Sequence, residues 1–270
     1  MRYHTSFLVT SLAVFAIMSA AGQAQELAIP PPSATALTFD IATIHLSKDP
    51  TPDDPCTFHP MPSGEGYLAH CMTLRIMIGF LYRIPGQQIL GIPDTLNAEH
   101  FDIEAKSDKP YNVDELHIMF QNLLADRFGL KFHTEKKQGN IYALTIDSSG
   151  LKMTLNTDPD DFQIPITGAM DGLHGKRVSM NYLCWQLGEF TRDDERPVVN
   201  MTGLTGNYNY VLTFLPPLPP NYDKDSLPPG FMDRPNLFEA LRKQLGLKLV
   251  PQKGPVTYMV IDHIEEPTEN

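Results

Sequence analysis

Two stretches far apart in the sequence present the same order of helix cap, apolar stripe, glycine and strand, and a chain patterned this way reads as one folding module used twice. Met72-Thr73-Leu74 through Leu81 lies over Val178-Ser179-Met180 through Leu187, with Leu74, Met77, Ile78 and Leu81 falling on Met180, Leu183, Cys184 and Leu187. The three-four spacing puts each set along one helix face. Thr73 or Ser179 stands in front as an N-cap whose hydroxyl can accept an orphan N–H of the first turn. Further on, Asn112-Val113-Asp114-Glu115 and Asn236-Leu237-Phe238-Glu239 each open a helix that closes at a Gly-Leu-Lys, Gly129 to Lys131 and Gly246 to Lys248. The first opening is a capping box, because Glu115 can reach back to the N–H of Asn112. The second helix is shorter by about two turns, which keeps its apolar side in phase.

The start of the chain is expected to be removed. Arg2, an apolar run from Phe7 to Met18 and the small residues Ser19, Ala20, Ala21, Gly22 and Ala24 form a secretory signal over 1–24, cleaved near Ala21 to Ala24. The run falls short of the about 20 residues that span a bilayer. The first cysteine is Cys56, so no lipid-anchored mature end is expected. The mature chain is therefore expected to be periplasmic or secreted, with no membrane span. The 270 residues include 21 basic and 32 acidic ones, and loss of Arg2 leaves a net charge of −12. Such a surface repels phosphate backbones and anionic membranes, and nucleic acid is a poor candidate partner.

Between the caps, Phe39 to Ile44 reads as a strand and Ser47 to Gly66 as a Pro- and Asp-dense loop. Phe101-Asp102-Ile103-Glu104-Ala105 alternates like a strand with one buried face. Leu130 to His133 with Ile141 to Ile146 is expected to form a hairpin around Lys136-Lys137-Gln138-Gly139-Asn140. Leu247 to Val250 with Val256 to Asp262 is expected to form a second. The organisation that follows is a first α+β repeat over 25–146, an Asp-rich linker over 147–171, and a second repeat over 172–270 with a Pro-rich insertion at 216–235. The expected fold is α+β and internally duplicated, each copy running strand-helix-strand-helix-hairpin, with mixed sheets packed on helices.

Chemistry is sparser. Cys56 and Cys71 bracket a loop and, in an oxidising compartment, are expected to form a disulfide. The alternative is a Cys2His2 metal set with His59 and His70, which is handicapped because His70 and Cys71 are neighbours and strand neighbours point to opposite faces. Cys184 takes the place of Ile78 on a buried helix side and reads as an inert core thiol. No His-Glu-x-x-His, Gly-x-Ser-x-Gly, Walker or dinucleotide glycine pattern occurs, and no cofactor or metal is implied. Asp102 and Glu104, two apart on a strand, share a face and can mimic the paired acids of a hydrolase, although in an acidic protein such a pair is usually the solvated side.

The segments Phe39 to Ile44, Phe101 to Lys106, Leu123-Leu124-Ala125-Asp126-Arg127-Phe128, Gly203-Leu204-Thr205-Gly206-Asn207-Tyr208 and Val260-Ile261-Asp262-His263 together resemble a family of exported, soil-associated bacterial proteins grouped as a domain of unknown function. The resemblance covers nearly the whole mature chain. It implies a periplasmic or secreted protein without an established activity, with relatives in which a similar domain follows a membrane-embedded sensor-type metallopeptidase. That family usually has Asp after the tyrosine, where this chain has Asn209. Leu237 to Val260 is also similar to the closing half of the small N-terminal signalling domains of secretins and TonB-dependent receptors, which bind other proteins. The expected function is a non-catalytic envelope module that binds or senses a protein or small-molecule partner; the alternative is a cell-envelope hydrolase using Asp102 and Glu104.

Overall fold

The computed structural model describes residues 37–48, 54–158, 166–169, 172–191, 196–218 and 227–268. The expected signal at 1–24 lies outside the described residues, as does the 219–226 part of the Pro-rich insertion. Helices and sheets are mixed along the chain, an α+β fold. Its first half holds β1 (Ile41–Leu46), β2 (Thr57–Pro60), β3 (Gly66–Thr73), α1 (Leu74–Tyr82), β4 (Ile89–Leu90), α2 (Asp94–Ala98), β5 (His100–Lys106), α3 (Val113–Arg127) and β6 (Lys131–Ile146). The second half holds β7 (Thr154–Asn156), β8 (Ile166–Ala169), β9 (Gly172–Ser179), α4 (Met180–Phe190), β10 (Val198–Asn200), β11 (Asn207–Leu212), α5 (Leu237–Ala240), a π-helical turn (Leu241–Leu245) and β12 (Leu247–His263).

The caps read from the sequence start the helices. Thr73 Oγ1 accepts from the Ile76 N–H at 3.4 Å and Ser179 Oγ from the Tyr182 N–H at 3.2 Å. Asn112 and Glu115 exchange both bonds of the capping box, at 2.9 and 3.0 Å. Asn236 Oδ1 accepts from the Glu239 N–H at 3.0 Å. At the far end α1 stops at Tyr82, because Arg83 turns left-handed at φ 55°.

The sheet orders are β1-β5-β3-β2, β7-β11-β9-β8 and, between them, β10-β6-β12-β4. Both outer sheets are antiparallel throughout. Each contains a bulge at the same place. His70 and Cys71 stand opposite Asp102 alone in the first, and Lys176 and Arg177 opposite Asn209 alone in the second. The extra residue, Cys71 or Arg177, takes a left-handed backbone at φ 48° or 56°. Its N–H donates to the side chain across the strand, Asp102 Oδ1 at 2.8 Å or Asn209 Oδ1 at 2.9 Å. The stretch 147–171, expected as a linker, supplies β7 and β8 to the second outer sheet.

Neither expected hairpin exists. β6 and β12 are single strands of 16 and 17 residues, paired antiparallel from Leu247 opposite Ile146 to His263 opposite Lys131. The polar, glycine-bearing run that resembles a turn is the waist of this ribbon, exposed along Lys136 to Gln138 of β6 while Val256 opposite is 3% exposed. Gly139 and Gly254 face each other there. A Cβ on Gly139 would lie 2.9 Å from Val256 Cγ2, and one on Gly254 would lie 2.5 Å from Ile141 Cδ1, so the glycines mark a close approach and not a turn. Pro251 and Pro255 are tolerated because β4 meets β12 only at Met259 and Val260, leaving the other edge of β12 unpaired by strand at the prolines.

The ribbon runs through two cores. One gathers Tyr67, Leu74, Ile78, Phe101, Phe120 and Phe128 with Met259 and Ile261 from the far end of β12. The other gathers Val178, Leu183, Leu187, Tyr210, Leu241 and Leu247 with Tyr142 and Leu144 from the far end of β6. Each half thus completes its core with a strand that also belongs to the other.

Candidate functional site

The outward faces of the two outer sheets differ in chemistry although the strands beneath them are ordered alike. On the first, His70 bridges two carboxylates, with Nδ1 2.9 Å from Asp102 Oδ1 and Nε2 3.0 Å from Asp54 Oδ1. Glu104 pairs with Lys106 at 2.6 Å. Desolvation works to raise the Asp102 carboxyl, but bonds from the Cys71 N–H and Ser47 and the nearby imidazole outweigh it and hold the group below its ordinary value. Desolvation likewise works to lower His70, and the two aspartates outweigh it and raise the imidazole. Asp102 and Glu104 do share a face, as the alternation predicts, yet each is committed elsewhere, Asp102 to the bulge and His70, Glu104 to its lysine.

On the second face the corresponding positions form an open hollow of about 520 Å³. Thr154 of β7, Asn209 and Val211 of β11, His174 and Lys176 of β9 and Thr167 of β8 line it, with Gly175 and Tyr210 completing the floor. The pairing explains the convergence. His174 stands between Val211 and Thr167, and Asn209 stands opposite Thr154, so four strands contribute to one patch. Gly175 is required beneath it, because a Cβ there would lie 2.3 Å from the ring of Tyr210. Asn209 Oδ1 is taken by the Arg177 N–H and by Asn156 at 3.1 Å. The family resemblance leads to an Asp here, and the amide oxygen performs the same bulge-holding task that a carboxylate performs at Asp102. A smaller hollow of about 350 Å³ at the base of the Pro-rich insertion is lined mainly by Phe190, Phe214, Pro216, Pro217, Leu237 and Phe238.

The sulfurs of Cys56 and Cys71 are joined as a disulfide, with Cα atoms 4.9 Å apart. His59 bonds the Pro60 carbonyl and His70 the two carboxylates, so the Cys2His2 alternative has no shared centre. Among the described residues no group of three or more His, Cys, Asp or Glu side chains is placed to hold a metal ion, and no helix is long and apolar enough to cross a membrane. Cys184 is buried in α4 and its thiol is pushed up by burial, the setting of an inert core thiol.

Sequence reasoning missed a polar cluster where the lobes touch. Arg83, at the end of α1, places its guanidinium carbon 4.2 Å from the Tyr182 ring centroid and 5.7 Å from that of Trp185, both on α4. Its Nη2 lies 3.0 Å from Nδ1 of His117 on α3, whose Nε2 lies 3.2 Å from the Tyr67 hydroxyl. His117 is only 4% exposed, and burial together with the adjacent guanidinium holds it well below its ordinary value, neutral at pH 7. The left-handed turn at Arg83 was the missing signal, since only an observed backbone reveals a non-glycine residue where glycine is usual.

No curated protein and no solved structure matches the chain significantly. A sequence profile described as "Protein of unknown function (DUF3738)" matches residues 75–264, from the first turn of α1 to just past the end of β12, and the chain belongs to that family.

Proposed function

We propose that this chain is an exported, internally duplicated binding module of the bacterial cell envelope, acting without catalysis, and that the hollow on the second outer sheet holds its ligand. The observation that carries this reading is convergence. Two threonine hydroxyls, an amide, an imidazole and an ammonium from four strands meet in a volume within the roughly 300–1,000 Å³ range of small-molecule sites. The matching sheet orders, the paired bulges and the capped helices α1 and α4 support duplication, with the second repeat beginning at β7 and so taking in the strands of the 147–171 stretch rather than starting at 172. On this reading one copy closed its outward face with ion pairs while the other left it open. The lining favours a small ligand rich in hydroxyl or carboxylate groups, as soluble envelope fragments are.

The test is calorimetric titration of the mature chain with soluble peptidoglycan fragments, repeated for Thr167→Val and Lys176→Gln. Saturable binding weakened at least tenfold by either change supports the hollow as the site. Absence of heat together with no partner recovered from envelope extract argues against a binding module, and cleavage of the fragments argues against a non-catalytic one. N-terminal sequencing of the protein from its host tests export, which predicts a mature end near Ala21 to Ala24.

A further inference from the structure

The two lobes share more than the ribbon. Arg83 belongs to the first lobe, yet its guanidinium lies over Tyr182 and within reach of Trp185, both of which pack in the second core. Phe80, one turn earlier on α1, meets Trp185 edge-on at 5.2 Å. A residue at a left-handed helix end that keeps a long side chain, where glycine would relieve the backbone, indicates that the side chain has work to do there. Arg83 Nη1 donates to the Phe80 carbonyl of its own helix, and its Nη2 is held by His117, the one titrating partner of the two. A guanidinium has donors only, so Nδ1 of His117 must accept, which fixes the proton on Nε2 and makes that nitrogen the donor to the Tyr67 hydroxyl.

We propose that His117 is an acid-sensitive latch between the lobes: as neutral imidazole it seats Arg83 against Tyr182 and Trp185, and on protonation it releases it. Protonation places an N–H on Nδ1, so that two donors, both cationic, face each other across the 3.0 Å now bridged by a hydrogen bond. The groups around the imidazole offer no rescue. Tyr67 of β3 meets the opposite nitrogen, Tyr182 of α4 faces the guanidinium, and both hydroxyls are kept protonated by burial. Asp114, one turn earlier on α3, acts on Arg83 and Tyr182 through space. Burial of His117 places the release below pH 6.5.

Trp185 is the sole tryptophan of the chain, so its emission reads the lobe contact directly. The experiment follows Trp185 fluorescence and far-ultraviolet circular dichroism of the disulfide-intact protein from pH 7.5 to 4. The expected result is a one-step emission change with a midpoint below 6.5 while the dichroism stays native. Gln at the position keeps an acceptor and a donor but does not titrate, so His117→Gln is expected to abolish the step, whereas His70→Gln and His133→Gln retain it. Arg83→Met, with His117 intact, is expected to show acid-like emission already at pH 7.5 and no step. A step of unchanged size in His117→Gln overturns the proposal, as does a wild type without a step or one whose step coincides with loss of dichroism. If His117→Gln does not fold, Arg83→Met decides: loss of the step supports the latch and its persistence overturns it.

Discussion

Replacing Asp102 by Ala removes the acceptor for the Cys71 N–H, a 2.8 Å bond at a residue whose own exposure is 2%. A buried N–H left without a partner costs about 1–3 kcal/mol, and the left-handed backbone at Cys71 gives the strand no alternative ladder bond there. Asp102→Asn keeps an oxygen in place and loses charge assistance, which is roughly half of such a bond, so it is expected to cost about 1 kcal/mol or less. The pairing with His70 is solvent-exposed and adds little. Asn209→Ala is the matched experiment in the other sheet, removing the 2.9 Å bond from the Arg177 N–H, and is also expected to cost about 1–3 kcal/mol. The assay is urea unfolding with the disulfide intact, reading the midpoint at constant slope. If Asp102→Ala and Asp102→Asn are equally destabilising, the carboxylate matters for its charge and not as a bulge acceptor. If Asn209→Ala is neutral, the equivalence of the two bulges fails.

The Cys56–Cys71 bridge closes a 15-residue separation, for which chain-entropy arguments give about 3 kcal/mol, so Cys56→Ser with Cys71→Ser is expected to lower the unfolding free energy by about that amount, read from urea unfolding as a lower midpoint. Cys184 is expected to resist iodoacetamide in the native protein and to label fully in 6 M guanidinium, and labelling at equal rates in both states would contradict its burial. The Asp102–His70 pairing should be pH-bounded. Asp102 is held below 3.8, so its contribution is present above that pH and is lost as pH falls; His70 is raised above 6.5, so its contribution is present below 6.5 and is lost as pH rises through the higher value. The stability difference between wild type and Asp102→Asn is therefore expected to peak between pH 3.8 and 6.5, and a difference that grows steadily toward pH 9 would refute the pairing.

What the sequence revealed was local. Thr73, Asn112 with Glu115, Ser179 and Asn236 announce helix starts because a cap acts within three residues, and the stripes behind them follow from the helical period alone. Phe101 to Ala105 was legible for the same reason, since alternation along one strand reports a buried face. The ribbon was not. Gly139, Gly254 and the polar residues around them carry the composition of a turn, and only the partner strand, over a hundred positions away, shows that the glycines make room for Val256 and Ile141. β7 and β8 are short strands whose pairing with β11 and β9 outweighs an Asp-rich composition. The hollow was hidden in the same way, for Thr154, Thr167, His174, Lys176 and Asn209 become neighbours only through registers between strands. Asp102 reads from the alternation as an acid on an open face, whereas its geometry makes it first a backbone acceptor.

β6 and β12 are one uninterrupted pair that ties the lobes together. Pro255 cannot donate to β6, so its pair with Gln138 is a non-hydrogen-bonded one, and two positions on Thr257 faces Lys136 in the same closely spaced kind of pair. Lys136→Cys with Thr257→Cys is therefore expected to oxidise to an intramolecular disulfide, mapped by non-reducing mass spectrometry. Failure of that pair to close, with Lys136→Cys and Asn140→Cys bridging instead, would restore the local hairpin and contradict the interlocked fold.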